Sequence, residues 1–596
     1  MAGALAAGLL VPQSASASAG EGVRIHDIQG TTRVSPLAGQ QVTGVPGIVT
    51  GVRAFGSSRG FWFQDPNPDR DSATSEGVFV YTGSTTPAVA VGDSVLVSAT
   101  VTEYYPGGEK AGLQSVTELT KATWTVQSSG NPLPAAVVLR PSSVPARYAP
   151  DAHGGSIEKL PLKPGSYALD RFESLEGMRV AVANAPVVGA TNTHNELWVT
   201  ADPAHNRTAR GGALYTGYRD PNGGRVKVNS LIPFAQRPFP VANVGDQLTG
   251  TTAGPLDYDN FGGYTLQATE LGTLKDNKLA RETTRKQKSG ELAVATYNVE
   301  NLSPKTPQAK FDRLASALVT NLASPDIVAL EEVQDNDGPA DHGVVDATQT
   351  LTKLTEAIKA AGGPAYQWRQ IDPVNDQDGG QPGGNIRTAF LFNPQRVSFT
   401  DIPGGDSTTP VKVVRDAAGK VTLSASPGRI DPANAAWENS RKPLAAQFSF
   451  QGKPVFVVAN HFNSKGGDQG LDSRFQAPAR VSEVQRGEQA KAVNAFVKQL
   501  LAADRRANVI VAGDLNDYQF SPALKTLTSG GVLTDQVGLL PRKERYGYVY
   551  QGNSQVLDHI LTSPHIGRPD YDIVHINAEF ADQASDHDPQ VLRWKP

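Results

Sequence analysis

Six short segments of this chain each end an apolar, strand-like run in residues that bind cations or move protons. They are TYNVEN (296–301), DIVALEEVQD (326–335), VANHFNSK (458–465), VIVAGDLND (509–517), QVLDHIL (555–561) and SDHDP (585–589). Strands of Val, Ile and Leu that finish in Asn, Glu, His and Asp carry those groups to one edge of a sheet, where a divalent metal and a phosphate can be held together. Glu331 and Glu332 are neighbours, so strand alternation sends them to opposite faces and only one enters a shared site. Asp514 and Asn516 stand two residues apart on one side. The first can position or deprotonate a water, and the second can donate to a phosphate oxygen. Asn298 offers another polar grip near the metal, with Glu300 on its face. Of ten His in the chain, His461, His559 and His587 fall inside the clusters. His461 and His587 can donate to a phosphate where negative charge gathers. Asp558 beside His559, and Asp586 beside His587, offer carboxylates that orient an imidazole. Taken singly, the Glu pair reads as a surface ion pair and Asp514-Leu515-Asn516 as an Asx turn. Core packing does not explain six such clusters in this order. No P-loop, dinucleotide glycine fingerprint or His-Glu-x-x-His motif is present, nor any nucleophilic Ser arrangement. The chemistry best served is metal-assisted attack of water on a phosphoester.

The scaffold for these clusters lies in the second half of the chain. From Glu291 onward strands alternate with helical stretches: KFDRLASALVTNL (310–322) leads into DIVALEEV, and VQRGEQAKAVNAFVKQLLAAD (484–504) leads into NVIVAGD. Residues 291–596 therefore read as one α/β domain of catalytic size. The first half is all strands and turns. QVTGVPGIVTGV (41–52), RGFWFQD (59–65), GVFVYTG (77–83) and DSVLVSATVTEYY (93–105) predict a small β module over 23–130. MRVAVANAPVVG (178–189), ELWVTAD (196–202) and GRVKVNSLIP (224–233) predict a second module, with insertions, over 131–274. Val-Gly-Asp precedes a strand in both, at 91–93 and 244–246, so the two read as diverged copies of one barrel. The polar, basic segment 275–290 reads as a solvated linker.

Bulk properties narrow the rest. A chain of 596 residues exceeds a single core. The absence of Cys excludes disulfides, thiol catalysis and Cys-ligated zinc. A formal net charge of −4 gives no general attraction for nucleic acid, so a local basic surface or a bound cation must supply it. No apolar run reaches membrane-span length. Residues 1–19 combine a short apolar run with Ala15-x-Ala17 and Ala17-x-Ala19, resembling a secretory signal without its basic start, and predict an exported protein.

The order TYNVEN, ALEE, NHFNSK, GDLND, LDHIL and SDHDP resembles the endonuclease/exonuclease/phosphatase superfamily, the fold shared by DNase I, exonuclease III, sphingomyelinases and inositol-phosphate phosphatases. The resemblance implies a C-terminal four-layer α/β sandwich of the DNase-I-like type. It assigns Asn298, Glu332 and Asp586 to a metal, with Mg²⁺ expected and Mn²⁺ or Ca²⁺ as alternatives. It makes Asp514 the water-activating carboxylate, Asn516 a stabiliser of the transition state, His461 a phosphate contact, and Asp558 the group that orients His587. Asn463, Arg387 and Arg441 are placed at the substrate, a strand-edge surface charge being the alternative for the two Arg. DNase-I-like members pair their first His with a Glu, which GNIRTAFLF (384–392) does not offer, so His461 has no assigned partner. The two β modules, including GFWFQDPNPDRDSATSEGVFVYTG (60–83), resemble the oligonucleotide/oligosaccharide-binding (OB) modules of large bacterial extracellular nucleases.

Two smaller expectations follow. Asp65, Asn67, Asp69, Asp71 and Glu76 match positions 1, 3, 5, 7 and 12 of a calcium loop, a solvated hairpin being the alternative. Trp62, Tyr104, Tyr105, Tyr258, Phe261 and Tyr264 could stack on bases, or simply pack the modules. Together these readings predict a secreted, metal-dependent phosphodiesterase acting on DNA, with RNA as a second substrate and no obligate protein partner. The rivals are a sphingomyelinase-like or phosphate-monoester hydrolase, and a non-catalytic protein that binds nucleic acid or polysaccharide.

Overall fold

A computed structural model describes residues 22–596, so the signal-like segment 1–19 lies outside the described residues. The first barrel is built from β1 (Gln41–Arg53), β2 (Arg59–Gln64), β3 (Gly77–Gly83), β4 (Ser94–Tyr104) and β5 (Val116–Ser128). They close in the order β1-β2-β3-β5-β4, with β3 and β5 parallel and the other pairs antiparallel. Alternate residues fill its centre: Phe61 and Phe63, Val78 and Val80, Val95, Val97 and Val101.

The second barrel repeats this ring with β6 (Arg179–Gly189), β7 (Leu197–Thr200), β8 (Arg225–Ser230), β9 (Gln247–Asp259) and β10 (Gly263–Ala268). Here β8 and β10 are the parallel pair, and β9 closes on β6. The Val-Gly-Asp turn is the same in both copies. Gly92 N–H donates to Val49 O and Val49 N–H to Asp93 O, both at 2.9 Å. Gly245 N–H donates to Val187 O and Val187 N–H to Asp246 O, at 2.9 and 2.8 Å. Each turn needs its Gly at positive φ, 91° and 86°.

The barrels meet along a seam that corrects part of the stacking expectation. Trp62, 1 % exposed, packs there against Phe79 and Leu231 under the Arg53 guanidinium, and Tyr258 and Tyr264 lie in the second barrel's core. Tyr105 donates to Glu158 at 2.8 Å, which leaves Tyr104 and Phe261 as the exposed rings of that set. The acidic loop at 65–76 is tied to the start of the described chain. Arg24 grips both oxygens of Asp65, Glu76 faces His26 at 3.1 Å and the Asp69 amide at 2.7 Å, and Asp71 accepts from Ala73 N–H. Asp65 and Glu76 thus gather with His26, their ligand atoms within 4.8 Å of one another, while Asp69 and Asp71 accept from amides of the loop's own turn.

Segment 275–290 is stitched down rather than free. Arg281 Nε donates to Ile576 O at 2.9 Å, Thr284 Oγ1 to Asp572 at 2.6 Å and Gln287 Nε2 to Ser324 O at 2.9 Å.

The C-terminal domain has four layers. One sheet contains β11 (Leu292–Leu302), β12 (Ile327–Val333), β13 (Gln367–Arg369) and β14 (Arg387–Phe392), in the order β13-β14-β12-β11. The other contains β15 (Leu444–Phe450), β16 (Lys453–His461), β17 (Asn508–Asp514) and β18 (Asp558–Thr562), in that order. Strands β19 (Asp570–Ile573) and β20 (Gln590–Trp594) extend the first sheet beyond β11. Val294, Ala329, Phe390, Phe448, Val457, Ile510 and Ile560 interlock between the sheets. Helices α1 (Gln308–Ser316) and α2 (Thr348–Ala360) cover the first sheet through Phe311, Leu314, Leu351 and Leu354. Helix α3 (Ser482–Ala503) covers the second with Ala490, Val493, Val497 and Leu500, spaced three or four apart on one face.

Buried acids sit in the barrel seam. Burial, and then Asp257, raises Glu118 to about 7, and burial raises Glu173 likewise to about 7. A carboxyl whose folded value exceeds its unfolded value of 4.5 stabilises most below pH 4.5 and loses that contribution as pH climbs through about 7. Thermal melts from pH 5 to 8 should therefore show a falling Tm. Glu118→Gln should flatten part of the slope and raise Tm at pH 8 by about 2–4 °C; an unchanged slope contradicts the assignment.

Candidate active site

Strand register gathers the clusters. β16 runs parallel to β17 with His461 opposite Asp514, and β17 runs antiparallel to β18 with Asp514 opposite Asp558. Residues directly opposite share a face, so three ionisable side chains stand in one row at the sheet's edge. The facing sheet supplies Asn298 and Glu332. Pairing breaks where β11 and β12 end, and Glu300, Asn301 and Glu332 take left-handed φ of 50°, 49° and 61°. That turn swings Glu332 into the cleft. Glu331 stays fully buried between the sheets, bonded to Thr296 at 2.8 Å, and burial holds it protonated.

Asn298 Nδ2 donates to Glu332 at 3.0 Å and to Asp514 at 3.3 Å, joining the two sheets. His461 Nε2 lies 3.6 Å from Asp514 and 4.0 Å from Glu332. His587 Nδ1 meets Asp558 at 2.6 Å, which turns its Nε2 towards Asp514 (3.8 Å) and Asp586 (4.0 Å). Asn516, at φ 50°, folds back so that its N–H donates to Asp514 Oδ1 at 2.8 Å and its Nδ2 to Phe462 O at 3.1 Å. The strained backbone of Glu332 and Asn516 is confined to this cleft-facing pair and the turn at 300–301 among the site residues.

Electrostatics separate the roles. Burial raises Asp514 to about 7, against the pull of His587. Burial pulls His587 down, but Asp558, Asp586 and Asp514 outweigh it and hold the ring charged. His461 is pushed far below its usual value by burial, Arg441 and His587, and so is neutral. Its Nδ1 is buried with no hydrogen-bond partner, the counterpart of the Glu that GNIRTAFLF lacks.

The substrate-contact expectations divide. Arg441 is buried behind the row, donating to Phe462 O at 2.5 Å, with Asp514 and Glu332 acting on its charge. Asn463 stands half-buried on the loop after β16, its N–H bonded to Gln489 at 2.9 Å. Arg387 is corrected: its guanidinium is buried elsewhere, bonded to Asp372 at 2.8 Å and Asn385 O at 2.9 Å. His559 is likewise structural, held by Asp535 at 3.0 Å and Asp517 O at 2.9 Å. Glu300 pairs with Lys310 at 3.0 Å. Two residues escape sequence reasoning. Lys465, in NHFNSK itself, lies 4.2 Å over the Tyr518 ring, lowered by burial to about 8. Tyr548 packs on His587, and only tertiary structure reveals it.

The donor set fits a hard divalent cation. Glu332, His461 and Asp514 place ligand atoms within 4.8 Å of one another, and a bound cation would favour the ionised form of a carboxyl that burial raises to about 7. Glu332 and Asp514 are the oxygen donors that would hold it, with Asn298 Nδ2 bonded to both while its Oδ1 accepts from Glu300 N–H at 2.9 Å.

Residues 295–587, which take in five clusters whole and the SDH of the sixth, match the Endonuclease/Exonuclease/phosphatase family. The C-terminal domain of this chain belongs to that family. Residues 138–276 match a family described as a domain of unknown function (DUF8508). No curated protein matches the chain. Among solved structures, a D. rerio TDP2 humanized by 14 mutations is 19 % identical over 52 % of this chain and 100 % of that one, with a TM-score of 0.32. An endonuclease/exonuclease/phosphatase family protein from Bacteroides thetaiotaomicron is 17 % identical over 51 % and 94 %, with a TM-score of 0.32. The human Nocturnin catalytic domain with bound sulfate is 16 % identical over 52 % and 95 %, also with a TM-score of 0.32. Likeness at this level adds nothing to what the residues show.

Millimolar Mg²⁺ should raise the Tm of the chain, and Glu332→Gln should remove most of that shift. At a hundredfold excess over Kd the gain is about 2.7 kcal/mol. Equal shifts in both proteins, read by scanning calorimetry, speak against a cation at Glu332.

Proposed function

We propose that this chain is a secreted, metal-dependent phosphodiesterase that hydrolyses DNA, with RNA as a second substrate, by in-line attack of water. The observation that carries it is the row His461, Asp514 and Asp558 with His587 locked to Asp558, facing Glu332 and Asn298 across the cleft. Asp514, balanced near neutrality by burial, accepts the proton of the attacking water. Asn516 amide and charged His587 donate to the phosphate as its negative charge grows. Asp558 keeps that imidazole oriented and protonated. Neutral His461 offers Nε2 to a phosphate oxygen. A divalent cation bound beside Glu332 supplies Lewis acidity to the phosphate.

Three features support a nucleic-acid substrate and export. The family is named for nucleases and phosphatases. The five-stranded ring of each barrel, with one parallel closing pair, suits OB-like modules that hold a strand. The small-residue N-terminal run suits a secretory signal. Among the described residues no helix is long and apolar enough to cross a membrane.

DNA zymography with and without chelator, followed by matched circular and linear DNA under Mg²⁺, Mn²⁺ and Ca²⁺ separately, tests the reading. Cleavage should vanish with chelator. Asp514→Asn should lower kcat by about 10²–10⁴-fold, and Asp558→Asn by up to about 10⁴-fold through the imidazole it no longer holds. Full activity in Asp514→Asn would falsify the assignment of water activation.

A further inference from the structure

A small hairpin, Tyr548–Tyr550 with Asn553–Gln555, stands between His587 and the second barrel. On the catalytic side, the Tyr548 ring lies 4.8 Å from the His587 imidazole, and the two residues share a backbone bridge. On the other side, the barrel adds a third strand. Ala213–Leu214, from the long loop between β7 and β8, pairs in parallel with Asn553–Ser554. The addition is braced at three points. Asn222 Nδ2 donates to Leu214 O at 3.0 Å, and the Arg225 guanidinium donates to Gln551 O. Gly552 abuts β6 so closely that a Cβ on Gly189 would come within 3.1 Å of its Cα. The hairpin backbone that carries Tyr548 beside His587 is therefore tied to the barrel through its second strand.

The hydroxyl of Tyr548 makes no hydrogen bond to any described residue. It is not among the sealed, unpartnered polar atoms, so the hydroxyl of this half-buried ring is open to a ligand. Burial first, then the charges of Asp586, Tyr550, Asp514 and Glu332, raise its pKa far above the usual value, so the phenol keeps its proton. Tyr550, half exposed and with its ring nearly parallel to that of Tyr548 at 6.5 Å, continues the aromatic surface outward.

We propose that Tyr548 is a substrate-contacting residue, donating its hydroxyl to a phosphodiester oxygen beside His587, and that the second barrel is the positioning part of the active site that holds it there. The proposal rests on the phosphodiesterase reading above and adds a substrate contact and a role for the domain of unknown function. No covalent step occurs at Tyr548.

Kinetics of the full chain on bis(p-nitrophenyl) phosphate and on a single-stranded oligonucleotide provide the test. Tyr548→Phe keeps the ring against His587 and removes only the donor. It should lower kcat/KM about ten- to a hundredfold on both substrates with Tm unchanged. Asn222→Gly, at a position of positive φ (59°), deletes one brace without backbone strain. It should lower kcat/KM several-fold in the parent and have little further effect in the Tyr548→Phe background, because the barrel acts through that hydroxyl. Parental kcat/KM in Tyr548→Phe overturns the substrate contact. Additive losses in the double variant overturn the barrel's role, since a merely structural brace costs the same in both backgrounds. A parent chain inert towards both substrates with Mg²⁺, Mn²⁺ and Ca²⁺ overturns the phosphodiesterase reading and the proposal with it.

Discussion

Everything in the catalytic half depends on the register of three strands. A one-residue slip of β17 against either neighbour would turn Asp514 to the opposite face and leave His461 and Asp558 without it. The register is fixed by what lies behind the row. Val457, Ile510 and Ile560 point into the space between the sheets, while Val458, Val511 and Leu561 point to the α3 side. Both faces are buried and both are apolar, so any slip would put polar strand ends into one core or the other. The hydrophobic layers thus set the chemistry, by leaving the strand ends only one alignment.

Within that frame the site is an economy of buried charge. Four carboxylates face two imidazoles, with Asp514 and Asp558 buried and Glu332 and Asp586 nearer the open rim. Their environments push like groups apart: Glu331 is held neutral, Asp514 is balanced, His587 is charged and His461 is not. Such separation of neighbouring groups is how one constellation provides both a base and proton donors at a single pH.

Much of this is legible in one sequence because strand ends carry their own signature. The apolar run closing on GDLND places its groups before any coordinates exist, SDHDP instead leads into the strand Gln590–Trp594, and the paired Glu residues resolve by alternation, with the left-handed turn at Glu332 as the unforeseen detail. Other readings turn on partners that one sequence does not show. Arg387 sits at a strand start, where a cation can face substrate or solvent, yet Asp372 and the carbonyl of Asn385 bury it. Trp62 alternates outward from its own barrel, as a stacking residue would, but a second barrel covers it. The acidic loop at 65–76 has calcium-like spacing, and Arg24, distant in sequence, pairs with its first carboxylate. Tyr548 has no motif at all, since its meaning arises from a neighbour in another domain. The Val-Gly-Asp repeat shows the converse. Three residues, recurring once, mark identical turns because the hydrogen bonds they make admit few substitutes.

The stitched segment at 275–290 has a consequence for how the parts work together. Modules on slack tethers contribute by local concentration, which depends on tether length and can be tuned by lengthening or trimming it. Here the polypeptide between barrel and nuclease-like domain is itself part of the wall, bonded to Ile576, Asp572 and Ser324. The spacing from barrel surface to cleft is accordingly set by these bonds and not by the length of a tether.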